Sequence, residues 1–223
     1  QVKQVRELYG VNACCRTSVV YCPESLSSYW ELSPGIREVD YPQNVLEEIE
    51  ACLRIGENVI AYATNRQLRA KLDRPQMALR DEVSNQAARG TLRVPKLNHS
   101  GGANDAPRAL GNLMREARQQ KKVRLVSETP LLLSPGDRQL FDYPVAFMHG
   151  RRAFQWSSRE RQALRRFLEQ GGYLFADAIC ASPEFAASFR REMQTLFPEE
   201  SLRRIPATHP LLTPEFRGYD VRR

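Results

Sequence analysis

The chain has 223 residues, 42% of them hydrophobic and 26% charged, with a net charge of +7. That is enough for one large α/β domain or two small ones with a sizeable core, and it excludes a disordered or collagen-like chain. No apolar run approaches the roughly 18 residues of a membrane span.

The chain opens on Gln1 rather than Met, so it reads as a processed product or an excerpt. Residues 17–22 (TSVVYC), β-branched and ended by Pro23, predict a buried strand. Residues 24–42 hold Pro, Ser and Gly and read as loop. From Asn44, apolar residues at Val45, Leu46, Ile49, Cys52 and Leu53 keep helical spacing, and Gly56 supplies a stop. Residues 58–63 (NVIAYA) read as a second buried strand, with a short polar helix near 65–72. Residues 73–90 are polar and weakly periodic, the best linker candidate.

Residues 91–97 (TLRVPKL) predict a third strand, with Pro95 suited to an edge or a strand end. His99-Ser100-Gly101-Gly102 follows, then a helix beginning near Asp105-Ala106-Pro107, with Asp105 as N-cap. Residues 123–126 (VRLV) are a fourth, short strand and 144–148 (PVAFM) a fifth, which leads into His149-Gly150. Ser157 and Glu160 form a capping box for the next helix, which Gly171-Gly172 ends. Residues 173–176 (YLFA) are a sixth strand leading to Asp177, and Ser182-Pro183 opens a helix striped by Phe185, Phe189, Met193 and Leu196. Apolar strands alternating with amphipathic helices predict a three-layer α/β/α fold with a mostly parallel sheet.

Ligands of such sheets bind beyond the C-terminal strand ends. His99, Gly101, Gly102 and Asp105 follow the third strand, His149, Gly150 and Arg151 the fifth, and Asp177 through Cys180 the sixth. Paired glycines let main chain approach a ligand, and the N-terminus of the next helix favours an anion. The competing reading is an ordinary capped strand-to-helix turn. Asp177 suits a hydroxyl, a histidine or, as the preferred role, the capping of a turn. Cys180, in Ala178-Ile179-Cys180-Ala181-Ser182, has the small neighbours of a nucleophile elbow. An elbow thiol needs a base, and His149 and His209 are the candidates; the competing reading is a small residue filling a turn.

Five cysteines without a C-x-x-C pair, and histidines 50 and 60 residues apart, fit neither a disulfide framework nor a zinc site. No metal and no cofactor is expected. Five lysines stand among 33 cationic residues, and the arginines are dispersed with few aromatics between them. Solvated helix faces explain them, so nucleic acid is not an expected partner.

At these residues the sequence resembles a bacterial family, domain of unknown function 4159, a divergent branch of the class I glutamine amidotransferase-like (flavodoxin-like) fold. The resemblance rests on KLNHSGGANDAPRAL (96–110), FDYPVAFMHGRRAF (141–154), GGYLFADAICASPEF (171–185), SFRREMQTLFP (188–198) and IPATHPLL (205–212). CRTSVVYCPESLSSYWE (15–31) and IGENVIAYAT (55–64) resemble blocks that close such a domain, yet here they precede it. Residues 1–72 therefore read as the end of one domain copy and 91–223 as the start and middle of the next. The chain is then an excerpt of tandem copies or a permuted unit in which strands 17–22 and 58–63 complete the sheet.

Glutamine amidotransferases use a G-x-C-x-G elbow and a downstream His-x-Glu. Here the elbow is A-x-C-x-S, and His209 is followed by Pro-Leu-Leu. The resemblance thus implies first a non-catalytic module. It would bind a small anionic or polyhydroxylated ligand, or a neighbouring domain of a longer polypeptide. A cysteine-dependent hydrolase or amide transferase is the alternative. The family also implies a bacterial source, in the cytoplasm or exported within a larger membrane-associated protein.

Overall fold

The computed structural model describes residues 6–13, 16–33, 39–72, 92–119, 131–216 and 218–222, with only the backbone of 65–72. Its centre is a seven-stranded, mostly parallel sheet. In chain order the strands are β1 (Tyr9–Ala13), β2 (Arg16–Cys22), β3 (Pro95–Leu97), β4 (Leu131–Leu133), β5 (Val145–Gly150), β6 (Tyr173–Ala178) and β7 (Arg203–Arg204). They lie side by side as β4-β3-β5-β6-β2-β1-β7. The pairs β4-β3, β3-β5, β5-β6 and β6-β2 are parallel, while β1 runs antiparallel to β2 and β7.

Side-chain alternation divides the sheet between two cores. Val20, Cys22, Val145, Phe147, Tyr173 and Phe175 face α1 (Ser27–Leu32), α2 (Gln43–Leu72) and α3 (Ala109–Gln119). Tyr21, Ala146, Met148, Leu174 and Ala176 face α4 (Ser158–Glu169) and α5 (Pro183–Leu196). Every described residue of β5 and β6 is buried, as a doubly covered parallel sheet requires.

The N-terminal segment enters this sheet directly. Val19, Val20, Tyr21 and Cys22 of β2 pair in register with Leu174, Phe175, Ala176 and Asp177 of β6. Residues 58–63 are not a strand, however. They continue α2, which runs straight through Gly56. The run looks uniformly apolar because both sides of the helix are covered. Ile60 and Tyr62 belong to the inner core, while Asn58 donates to the carbonyls of Leu211 and Tyr219. Gly56 does not stop the helix; it makes room, since a Cβ there would stand 2.8 Å from Trp30 and 2.6 Å from Leu113.

Residues 24–42 also hold more than a loop, because α1 lies within them. No local cap announces α1. Trp30 anchors it, fully buried between Phe147 and Phe175 at 5.6 Å from each ring, with Nε1–H donating to the Cys52 carbonyl. Strands β1, β4 and β7 are short additions that periodicity did not indicate. The predicted strand at 123–126 and linker at 73–90 lie outside the described residues. The capping box of Ser157 and Glu160 and the Ser182 cap of α5 form as their sequences predict. Among the described residues, no helix is long and apolar enough to cross a membrane.

Candidate functional site

The segments leaving β3, β5 and β6 are sewn together by hydrogen bonds to the main chain. His99 donates from Nε2 to the carbonyl of His149 at 2.9 Å, and its Nδ1 accepts from the Gly101 amide at 3.0 Å. The Gly101 carbonyl then accepts from both Arg151 and Arg152 amides, each at 3.0 Å. From the β6 exit, the Ser182 hydroxyl donates to the Arg151 carbonyl. A Cβ on Gly101 would stand 2.6 Å from the Arg152 carbonyl oxygen, and one on Gly150 2.5 Å from that of Gly101. Gly102 sits at φ +94°, where L side chains are strained. The glycines therefore serve an approach of chain to chain.

Two sequence expectations change here. Asp105 does not cap a helix, because α3 begins only at Ala109. Its carboxylate pairs instead with Arg151 at 3.4 Å and Arg152 at 3.2 Å. The anion at the start of α3 is supplied internally. Glu31 of α1 accepts from the Arg108 amide and from Arg108 Nε, both at 2.7 Å. What remains open at this rim is cationic. The side chains of Arg151 and Arg152 are 48% and 58% exposed.

Beneath the rim lies a buried polar layer. His149 of β5 and Asp177 of β6 are register partners, each 0% exposed. Asp177 turns toward α1 and accepts from the amides of Leu26 at 2.7 Å and Ser27 at 2.9 Å and from the Ser27 hydroxyl. Burial lifts its carboxyl to about 6, against the pull of those three donors. Its capping role is thus directed at a helix from a distant part of the chain. Burial also drives the imidazole of His149 well below its ordinary value and that of His99 down to about 4. Both rings are neutral at physiological pH. Lys96 of β3 shares this layer, 1% exposed, with burial lowering its ammonium to about 8.

Cys180 occupies the turn between β6 and α5, exposed, at φ 53° and ψ 31°. Its sulfur lies 3.7 Å from the Ser28 hydroxyl, and its amide donates to the Ser25 hydroxyl. No imidazole hydrogen-bonds it. Both nitrogens of His99 are engaged, and His149 is enclosed. His209 sits at the other end of the sheet, its Nε2 3.2 Å from Thr17 and its ring 5.3 Å from Tyr62. Thr17 precedes Cys22, the register partner of Asp177, by five residues, or about 16 Å of strand. The structure therefore gathers His99, Gly101, Gly102, Asp105, Gly150 and Arg151 in one place. It sets Cys180 on the neighbouring turn and His149 and Asp177 below, and it leaves His209 apart. Among the described residues no group of acidic, His and Cys side chains could hold a metal ion.

A family model described as a domain of unknown function (DUF4159) matches residues 93–219, more than half of the chain. The chain belongs to this family. The match begins just before β3, so β1, β2, α1 and α2 of this DUF4159 protein precede the matched region. Even so, β2 sits inside the sheet, between β6 and β1. A search of curated proteins gave no significant match. Sequence reasoning missed Lys96 and Glu31. The signal for Lys96 was present, as a cation between Pro95 and Leu97 in a strand predicted to be buried, whereas nothing local marks Glu31.

Proposed function

We propose that this DUF4159 protein is a non-catalytic module of the class I glutamine amidotransferase-like type. It binds a small anionic ligand, or an acidic partner domain, at the C-terminal ends of its strands. The observation that supports this is the Arg151-Arg152 pair, held at the junction of three strand exits by Asp105 and by main-chain bonds to Gly101. A ligand at this rim would meet the two half-exposed guanidiniums, which are suited to bidentate contact with carboxylate or phosphate. Calorimetric titration with citrate and inorganic phosphate tests the reading. Binding should weaken at least tenfold in an Arg151→Ala/Arg152→Ala variant, and equal binding by that variant refutes it.

The alternative, a cysteine-dependent hydrolase or amide transferase, draws on a different observation. Cys180 is exposed and holds a left-handed backbone between strand and helix, the conformation of a nucleophile elbow. The missing element is the base. Iodoacetamide labelling at neutral pH separates the two readings. Labelling no faster than that of a free thiol removes the hydrolase, and rapid stoichiometric labelling removes the non-catalytic module.

A further inference from the structure

Arg151 and Arg152 share one rim, but their surroundings differ. The main chain of Arg151 is gripped from two sides. Its amide donates to the Gly101 carbonyl at 3.0 Å, and its carbonyl accepts from the Ser182 hydroxyl. Of these two bonds, Arg152 shares only the one to Gly101.

The guanidiniums differ in the opposite sense. Arg152 donates from Nη2 to Asp105 Oδ1 in a hydrogen bond of 3.2 Å. Arg151 meets the same carboxylate only as an ion pair, Nε to Oδ2 at 3.4 Å, and Asp105 Oδ2 has no hydrogen-bond partner. A guanidinium carries five N–H donors. Among the described residues, none of those on Arg151 is in a hydrogen bond. Asp105 cannot easily follow Arg151, because its own main chain is fixed. Its amide donates to the Gly102 carbonyl at 3.1 Å. Lys96 holds the residues on either side of it, donating to Asn104 Oδ1 at 3.5 Å and to the Ala106 carbonyl at 3.2 Å. A fixed main chain that carries a half-exposed guanidinium with unspent donors is ready to take an outside oxyanion, since little ordering remains to be done on binding.

We propose that Arg151 is the specificity-determining residue of this rim. Its guanidinium fork takes an oxyanion with two adjacent oxygens, a carboxylate or a phosphoryl group. Arg152 and Asp105 hold each other and make no comparable contact with the ligand. This assignment rests on the rim reading above and divides the roles within it.

The test is calorimetric titration of the full chain with inorganic phosphate and with citrate, repeated on charge-conserving variants. Lysine keeps the charge and loses the fork. Arg151→Lys should weaken binding about tenfold or more, with a melting temperature within about 2 °C of the unaltered protein. Arg152→Lys should change binding less than about threefold. Asp105→Asn should leave it equal or tighter, because that acid withdraws positive charge from the fork. Sodium bromide, a single-atom anion that cannot span a fork, should bind about tenfold more weakly than phosphate or worse. Tighter citrate marks a carboxylate ligand and tighter phosphate a phosphoryl one, and either order upholds the fork. In the unaltered protein with nitrogen-15-labelled arginine, the Nε resonance of Arg151 should move with phosphate and that of Arg152 should not. That measurement decides if a variant fails to fold. Equal losses in the two lysine variants, a loss confined to Arg152→Lys, weaker binding in Asp105→Asn, or bromide matching phosphate overturns the proposal. If Arg151→Ala/Arg152→Ala loses binding while the lysine variants are alike, the division of roles fails and the rim stands. If that double variant binds as before, both fall.

Discussion

The ring of His99 holds the main chain of His149, with Nε2–H donating to the His149 carbonyl at 2.9 Å. Because Nδ1 accepts from the Gly101 amide, the ring is fixed as one neutral tautomer. A proton added at Nδ1 would face that amide hydrogen and break the clasp between the β3 and β5 exits.

Stability should therefore depend on pH. The pKa of His99 falls from 6.5 unfolded to about 4 folded, so the unfolded chain binds more protons between those values. The contribution is complete above pH 6.5 and lost as pH falls toward 4. It amounts to about 3 kcal/mol at most, at about 1.4 kcal/mol per pKa unit. His149 acts in the same direction. Asp177 opposes them, since its carboxyl is raised from 3.8 to about 6 and its contribution is lost as pH rises through 6. Denaturant melts from pH 4 to 7 should show stability rising with pH. The rise should be shallower in His99→Gln and steeper in Asp177→Asn.

Gly150 admits no side chain, because its Cβ would collide with main chain. Gly150→Ala should cost about 2 kcal/mol or more, as an overpacked site without a flexible neighbour does. Chemical denaturation measures it, and a loss under 0.5 kcal/mol would contradict the tight crossing of the two exits.

Gly56 presents a gentler case. Its Cβ would meet the side chains of Trp30 and Leu113, which can shift. Gly56→Ala gains helix propensity of about 1 kcal/mol but should lose more to packing, for a net cost of about 1 kcal/mol. A stabilised variant would show that Trp30 is not seated against α2.

Glu192 on α5 is 1% exposed and accepts from Arg161 on α4 through two hydrogen bonds, at 2.7 and 3.0 Å. Arg161→Met leaves a buried carboxylate alone and should cost about 3 kcal/mol. The double variant Arg161→Met/Glu192→Met should recover most of that. A double-mutant cycle with coupling below 0.5 kcal/mol would refute the pairing.

Cys180 holds φ 53°, and the one hydrogen-bond contact of its side chain is a long one, 3.7 Å from the Ser28 hydroxyl. Cys180→Gly should raise stability by about 0.5–1 kcal/mol, the strain of a left-handed non-glycine residue. Lower stability in thermal melts would instead assign the side chain a packing role.

Elements whose cause is local were readable from the sequence. The capping box at Ser157 and Glu160, the Ser182-Pro183 start and the apolar strands at 17–22, 144–148 and 173–176 carry their own instructions in adjacent residues. Gly101-Gly102 likewise announced a close approach. The approach is to the chain itself, a partner that no local pattern can name.

By itself, then, the sequence determined the alternation of strand and helix, the two-faced core, the family and the three strand exits where polar residues collect. Tertiary structure alone decided the rest. It turned 58–63 into helix because the C-terminal segment covers the outer side, and it made α1 a helix because Trp30 fills the core beneath it. It gave the anion position at α3 to Glu31 and the start of α1 to Asp177. It also placed His209 at the wrong end of the sheet for Cys180. Periodicity records how a segment meets its own neighbours within a turn or two. Which distant carboxylate, ring or glycine lies against it is set by the order of strands in the sheet, and that order is settled only when the whole core packs.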